Sequence, residues 1–169
     1  MFNTHGCLLT TKDYSILKTM LELASVRSDP IALLLRKKLS SAMIVFSGAI
    51  DPRAVTLNSR VVFRVNDGPS DTRVVVQGED RSVAGMTIPI SIPRGLGLLG
   101  LMEGQDLTIA MPGEFPDTIR VEKVAYQPEA AQRRKAEPSS KHLTPVELPQ
   151  ARRLADVVSL NARRVPAGH

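Results

Sequence analysis

The sequence predicts an α+β domain: a short antiparallel helical hairpin, then a mostly antiparallel β-sheet with one short helix against it, then a disordered basic C-terminal tail. Three observations carry this. Apolar residues recur at helical spacing up to about residue 41 and in short β-rich runs from residue 42. Clusters of Gly, Pro, Asn and Asp punctuate that second stretch. After Pro128 the composition shifts to Ala, Pro, Ser and charge.

Residues 1–8 read as a flexible N-terminus. The hairpin is expected over residues 9–41. In residues 9–24, Leu17, Leu21 and Ala24 share a helix face, with Tyr14 and Met20 at its margins. Thr10 or Thr11 suits the N-cap, and Asp13 lies in the first turn. Residues 25–30 break the pattern. There Asp29 suits a second N-cap and Pro30 a first helical position. In the helix over residues 30–41, Leu33, Leu34 and Leu39 are expected to face inward, and Arg36, Lys37 and Lys38 outward. Helices of about 12 to 15 residues reach only about 18 to 22 Å.

Residues 42–128 form the sheet domain. Residues 42–46 are a short apolar strand, and Ile50, Asp51 and Pro52 a turn. Residues 60–65 and 72–76 are strands rich in Val, joined through Asn66-Asp67-Gly68-Pro69, so they form a hairpin. Gly78-Glu79-Asp80 turns the chain. Residues 85–92 form a strand in which Pro89 marks an edge or a bulge. Residues 93–101 form a short helix started by Pro93. Residues 107–111 and 119–126 are the last strands. The tail covers residues 129–169 and holds a possible short amphipathic helix at 151–162.

The net charge of +5 is uneven. Residues 1–129 hold 14 Lys or Arg and 14 Asp or Glu, whereas residues 130–169 hold 8 and 3. The basic character belongs to the tail, so the domain itself lacks the overall charge of a nucleic-acid binder. No apolar run approaches the roughly 20 residues that span a bilayer. The first basic residue is Lys12, so no signal peptide is read, and a cytoplasmic location is expected.

Catalytic patterns are not found. There is no phosphate loop, dinucleotide fingerprint or zinc-protease motif. No His lies between residues 6 and 141, which removes the commonest general base from the domain. The single Cys, Cys7, excludes an internal disulfide. With only His5, His142 and His169 beside it, a four-ligand zinc site is not expected. Carboxylate pairs such as Glu79-Asp80, or Asp67 with Asp71, fall in turns. No catalytic residue, metal or cofactor is expected.

The informative stretch is residues 88–106. Pro93, Gly95, Leu98, Leu99, Gly100 and Leu101 are followed by a turn with Gly104 and Asp106. Further along stand Met111-Pro112-Gly113, then a strand ending in Tyr126-Gln127-Pro128-Glu129-Ala130. Upstream stands Val55-Thr56-Leu57-Asn58-Ser59-Arg60-Val61. In this order and spacing, over about residues 9–130, the chain resembles the Gre transcript-cleavage-factor superfamily. The upstream segment and the closing strand resemble its branch named for regulation of nucleoside diphosphate kinase.

The resemblance implies a fold like the FK506-binding-protein domain behind the hairpin. It implies docking on bacterial RNA polymerase at the rim of the secondary channel. Its polymerase-binding candidates are Pro93, Arg94, Gly95, Leu96, Leu98, Leu99 and Gly100, with Arg27 and Asp29 at the hairpin tip. In Gre factors a long coiled coil carries acidic residues that help hold a catalytic metal. Here the tip holds one acid, Asp29, assigned to capping, beside Arg27, and the hairpin is short. Transcript cleavage is therefore not expected. Prolyl isomerases of the related fold use a Trp floor, and this chain has no Trp, so isomerisation is not expected either.

Each motif residue also has a structural reading: Leu98, Leu99 and Leu101 as core, Gly100 as a C-cap, Pro93 as a helix start. A contact would then use exposed neighbours, Arg94 or Leu96. Gly97 replaces the Ala common in the family, and two glycines in so short a helix cost about 1 kcal/mol each against Ala. Three functional readings follow. The chain docks on polymerase; or it binds another partner and controls nucleoside diphosphate kinase indirectly; or its tail makes weak, salt-sensitive nucleic-acid contacts.

Overall fold

The computed structural model describes residues 6–26, 29, 31–78, 85–111 and 113–136. His5, Arg27, Pro30, Glu79, Asp80, Pro112 and the expected tail helix at 151–162 lie outside them.

The first element corrects the expectation of a flexible segment at residues 7 and 8. Strand β1 (Cys7–Thr10) is ordered, with Cys7, Leu9 and Thr10 buried. Its Leu8 amide donates to the Gly100 carbonyl at 2.9 Å. Helix α1 (Thr11–Val26) starts where the Thr10 hydroxyl accepts the Asp13 amide at 3.0 Å. That bond satisfies one of the amides a helix start leaves open. Helix α2 (Ile31–Ser41) starts where the Asp29 carboxylate accepts the Ile31 amide at 3.0 Å, as its capping role anticipates.

Helix α2 is rotated from the expected phase. Ile31, Ala32, Leu35 and Lys38 are buried, Leu34 and Leu39 are half-buried, and Leu33 is 68% exposed. Three consecutive leucines fit more than one helix phase, and packing selects the one in register with Ile31. Lys38, expected outside, donates its ammonium to the Gly97 carbonyl at 3.2 Å. Strand β2 (Ala42–Val45) then pairs in parallel with β1, Cys7 opposite Ala42 and Thr10 opposite Val45. A parallel pair needs a crossover connection, and the helical hairpin is that crossover.

The larger sheet has five strands: β3 (Arg60–Val65), β4 (Ser70–Val76), β5 (Thr87–Pro89), β6 (Asp106–Ile109) and β7 (Asp117–Tyr126), in the order β5-β4-β3-β7-β6. Three of its four pairings are antiparallel; β5 runs parallel to β4. Pro89 lies on the β5 edge, where a missing N–H interrupts no ladder. Helix α3 (Pro93–Leu98) lies between β5 and β6 in sequence. Its Leu96 and Leu98 share one core with Val61, Phe63, Ile119 and Val121 of the sheet and with Leu9, Leu17 and Leu35 of the hairpin module.

The chain does not become a linker at residue 129. Helix α4 (Pro128–Ala136) has Pro128 at its start, Glu129 in its first turn and Arg133, Arg134 and Lys135 in its last, matching the helix dipole. It is anchored. Gln127 Nε2 donates to the Asp51 and Ala54 carbonyls at 2.8 and 2.7 Å. Glu129 accepts the Thr56 hydroxyl at 2.7 Å, and Arg133 donates to the Gly48 and Ile50 carbonyls. Among the described residues no helix is long and apolar enough to cross a membrane.

Candidate docking surface

The motif segment divides sharply. Pro93 starts α3 and is half-buried, and Arg94 is exposed. Gly95, Leu96, Gly97, Leu98, Leu99 and Gly100 are all buried, the three leucines completely. Leu96 is therefore not the exposed contact residue the sequence allowed. The glycines are there for close approach. A Cβ on Gly95 would meet the Pro89 carbonyl, and one on Gly97 would meet the Ile109 side chain. Gly100 has φ +80°, and a Cβ there would meet the Cys7 sulfur. Gly97 thus marks tight packing rather than a loosened helix.

What α3 presents outward is its first turn and the loops around it. Ile92 is partly exposed, and Phe115, in the loop between β6 and β7, is 95% exposed. Arg94 Nε donates to Asp117 Oδ2 at 2.7 Å. That bond, with a second from Asn66 at 3.2 Å, holds the Asp117 carboxyl below the usual carboxylate range. Ile92, Arg94, Met111 and Phe115 line a groove of about 250 Å³. A second groove of about 590 Å³, with Phe63, Val65, Pro69 and Pro89, shares Ile92 and Arg94. The result is an open apolar trough with charged rims. Asp71, Glu114 and Asp117 also lie along its walls, and its apolar part suits a protruding apolar segment of a protein partner.

The other expected residues fall elsewhere. Asp29 is exposed at the end of the hairpin, and its carboxylate is occupied in capping α2. Among the described residues no three His, Cys, Asp or Glu side chains gather as a metal site.

Two polar residues named from the sequence, Asp13 as a first-turn acid and Lys38 as an outward lysine, are buried. Asp13 accepts the Leu57 amide at 3.4 Å, and burial pushes its carboxyl up to about 6. Thr10-x-x-Asp13 has the form of a capping box, which was its available signal. Lys38 is buried beside Cys7; burial lowers the amine and raises the thiol. The Thr56-Leu57-Asn58-Ser59 stretch is explained by one tight turn. The Ser59 hydroxyl accepts the Thr56 amide at 3.1 Å, and Asn58 takes φ 65°. Ile92 and Phe115 carried a weaker signal, apolar residues beside prolines in turn-rich sequence.

No protein-family model matches the chain. It is 30% identical over 125 residues to the regulator of nucleoside diphosphate kinase of Escherichia coli K12, covering 73% of this chain and 92% of the relative. The protein of the same name from Shigella flexneri matches equally. Among solved structures it resembles a prokaryotic transcription elongation factor GreA/GreB from Nitrosomonas europaea. There the TM-score is 0.56 at 30% identity, covering 71% of this chain and 99% of that one. These relatives are named as regulators and transcription factors, not as catalysts.

Proposed function

The chain belongs to the family of the regulator of nucleoside diphosphate kinase, within the Gre superfamily, and from that premise we propose that it is a non-catalytic transcription regulator docking on bacterial RNA polymerase. The sheet domain, read as FK506-binding-protein-like, makes the contact near the secondary-channel rim. One observation carries the reading. The family's motif segment turns its first residues outward, and Ile92, Arg94 and Phe115 form an exposed apolar and charged trough beside it. Of the polymerase-binding candidates, Arg94 and the edge of Pro93 remain as direct contacts. Gly95, Leu96, Leu98, Leu99 and Gly100 support them from beneath.

The hairpin gives no support to cleavage chemistry. At 16 and 11 residues its helices are about 24 and 16 Å long. Asp29, its described acid at the tip, is engaged in a cap. The protein therefore occupies the channel entrance and competes with other channel factors, without stimulating transcript cleavage.

The test is binding of the full chain to purified core polymerase, followed by displacement with a Gre factor. Competable binding that Phe115→Ala and Arg94→Ala weaken is expected. Binding that disappears with residues 138–169 and collapses with salt would instead assign the contact to the tail and nucleic acid. Absence of both would leave a different protein partner.

A further inference from the structure

Among the described residues the sheet edges are not treated alike. An exposed edge offers unpaired N–H and C=O groups to any other strand, and proteins blunt such edges with Pro, charge or bulges. In the larger sheet one edge strand, β5, ends in Pro89, and the other, β6, begins with the exposed Asp106. The small sheet differs. Its β1 side is covered where the Leu8 amide meets Gly100. Its β2 side has no strand neighbour among the described residues.

Neither charge nor proline blunts that side. Between Lys38 and Asp51 the chain carries no charged residue and no proline. Met43 and Ile44 are exposed on the strand, and Phe46, just beyond it, is 80% exposed. Three large apolar side chains thus flank a backbone edge that no described strand pairs with.

We propose that this edge pairs with the same strand of a second copy of the chain, antiparallel about a two-fold axis. The chemistry selects a second copy. A charge-free strand meets itself with no like-charge repulsion, which penalises most surface strands brought face to face with themselves. A two-fold axis normal to the sheet keeps every side chain on its own face, so residues oppose partners separated by an even number of places. An axis at Ile44, the centre of residues 42–46, sets Ile44 opposite its own copy, Met43 opposite Val45 and Ala42 opposite Phe46. The open backbone groups are then bonded, and the apolar side chains are covered in pairs. So short a strand buries less than the roughly 1,200 Å² of a standard complex, so the pairing is weak and depends on concentration.

Sedimentation velocity of the full chain from about 1 μM to about 1 mM tests this. A reversible monomer–dimer equilibrium is expected. Ile44→Lys sets two ammonium groups opposite each other and should leave only monomer over the whole range. Met43→Lys should act in the same direction, and Leu33→Lys, on the exposed hairpin face, should change nothing. Unchanged thermal unfolding of each variant confirms the fold. A chain that stays monomeric throughout overturns the proposal, and so does a dimer indifferent to both β2 substitutions.

Discussion

Residues 92–94 and residues 95–100 adjoin in the chain, yet the first group meets solvent or the rim of a groove while every member of the second is buried. The buried group contains most of the recognisable pattern, with Gly-x-Gly and Leu-Leu-Gly spaced to fit against Pro89, Ile109 and Cys7. The exposed group contains the chemistry a partner can touch. Its companion Phe115 comes from a loop some twenty residues later. The lesson is that a family motif can be the foundation of a binding surface without being the surface.

Substitutions break this comparison in order of size. Leu96→Ala removes a fully buried side chain, and should destabilise the fold by about 2 to 5 kcal/mol in urea titration. Polymerase binding should be lost only to the extent that the protein unfolds. A result near zero would show that the segment is not part of the core.

Asp13 follows. The folded chain holds this proton more tightly than the unfolded chain, with a carboxyl at about 6 against an ordinary 3.8. The folded state binds more protons between those values, so stability falls as pH rises from about 4 to about 6 and then levels off. The scale is about 3 kcal/mol. Asp13→Asn should flatten the slope, read as the difference between variant and parent in a denaturation series from about pH 4 to pH 7. Parallel curves would place the proton elsewhere.

Gln127→Met leaves the Asp51 and Ala54 carbonyls without their donor. A loss of about 1 to 3 kcal/mol is expected, and a melting temperature unchanged from the parent would mean that α4 is not held through this residue. At the small end, Phe115→Ala should shift stability by no more than about 0.5 kcal/mol, because the side chain is almost wholly in solvent. Its effect should be on partner affinity, measured by displacement. These two ends of the scale sharpen the contrast: Leu96 tests the foundation and Phe115 the surface.

Much of the fold was legible. The β3–β4 hairpin announced itself through Asn66-Asp67-Gly68-Pro69, and Pro89 and Pro93 marked an edge and a helix start. What was hidden depended on distant partners. β1 has only four residues, and its partner β2 lies beyond two helices. Lys38 looks like any surface lysine until α2 is rotated into place over the Gly97 carbonyl. Helix α4 had readable signals in Pro128, Glu129 and its basic last turn, but its Ala- and charge-rich composition outweighed them. The candidate surface was half legible: Arg94 was named, whereas Phe115 becomes its neighbour only through the fold.

The clamping of the hairpin between β1 and β2 has a consequence for how such proteins diversify. β1 ends at Thr10 and β2 begins at Ala42, opposite ends of a parallel pair, so the chain leaves and re-enters the body at two fixed points about 10 Å apart along the strands, whatever happens beyond them. The hairpin's reach is then independent of the body. Seven residues added to each helix would extend it by about 10.5 Å, returning nearly the same faces to one another. A protein built this way can be retuned from a plug to a probe by length alone.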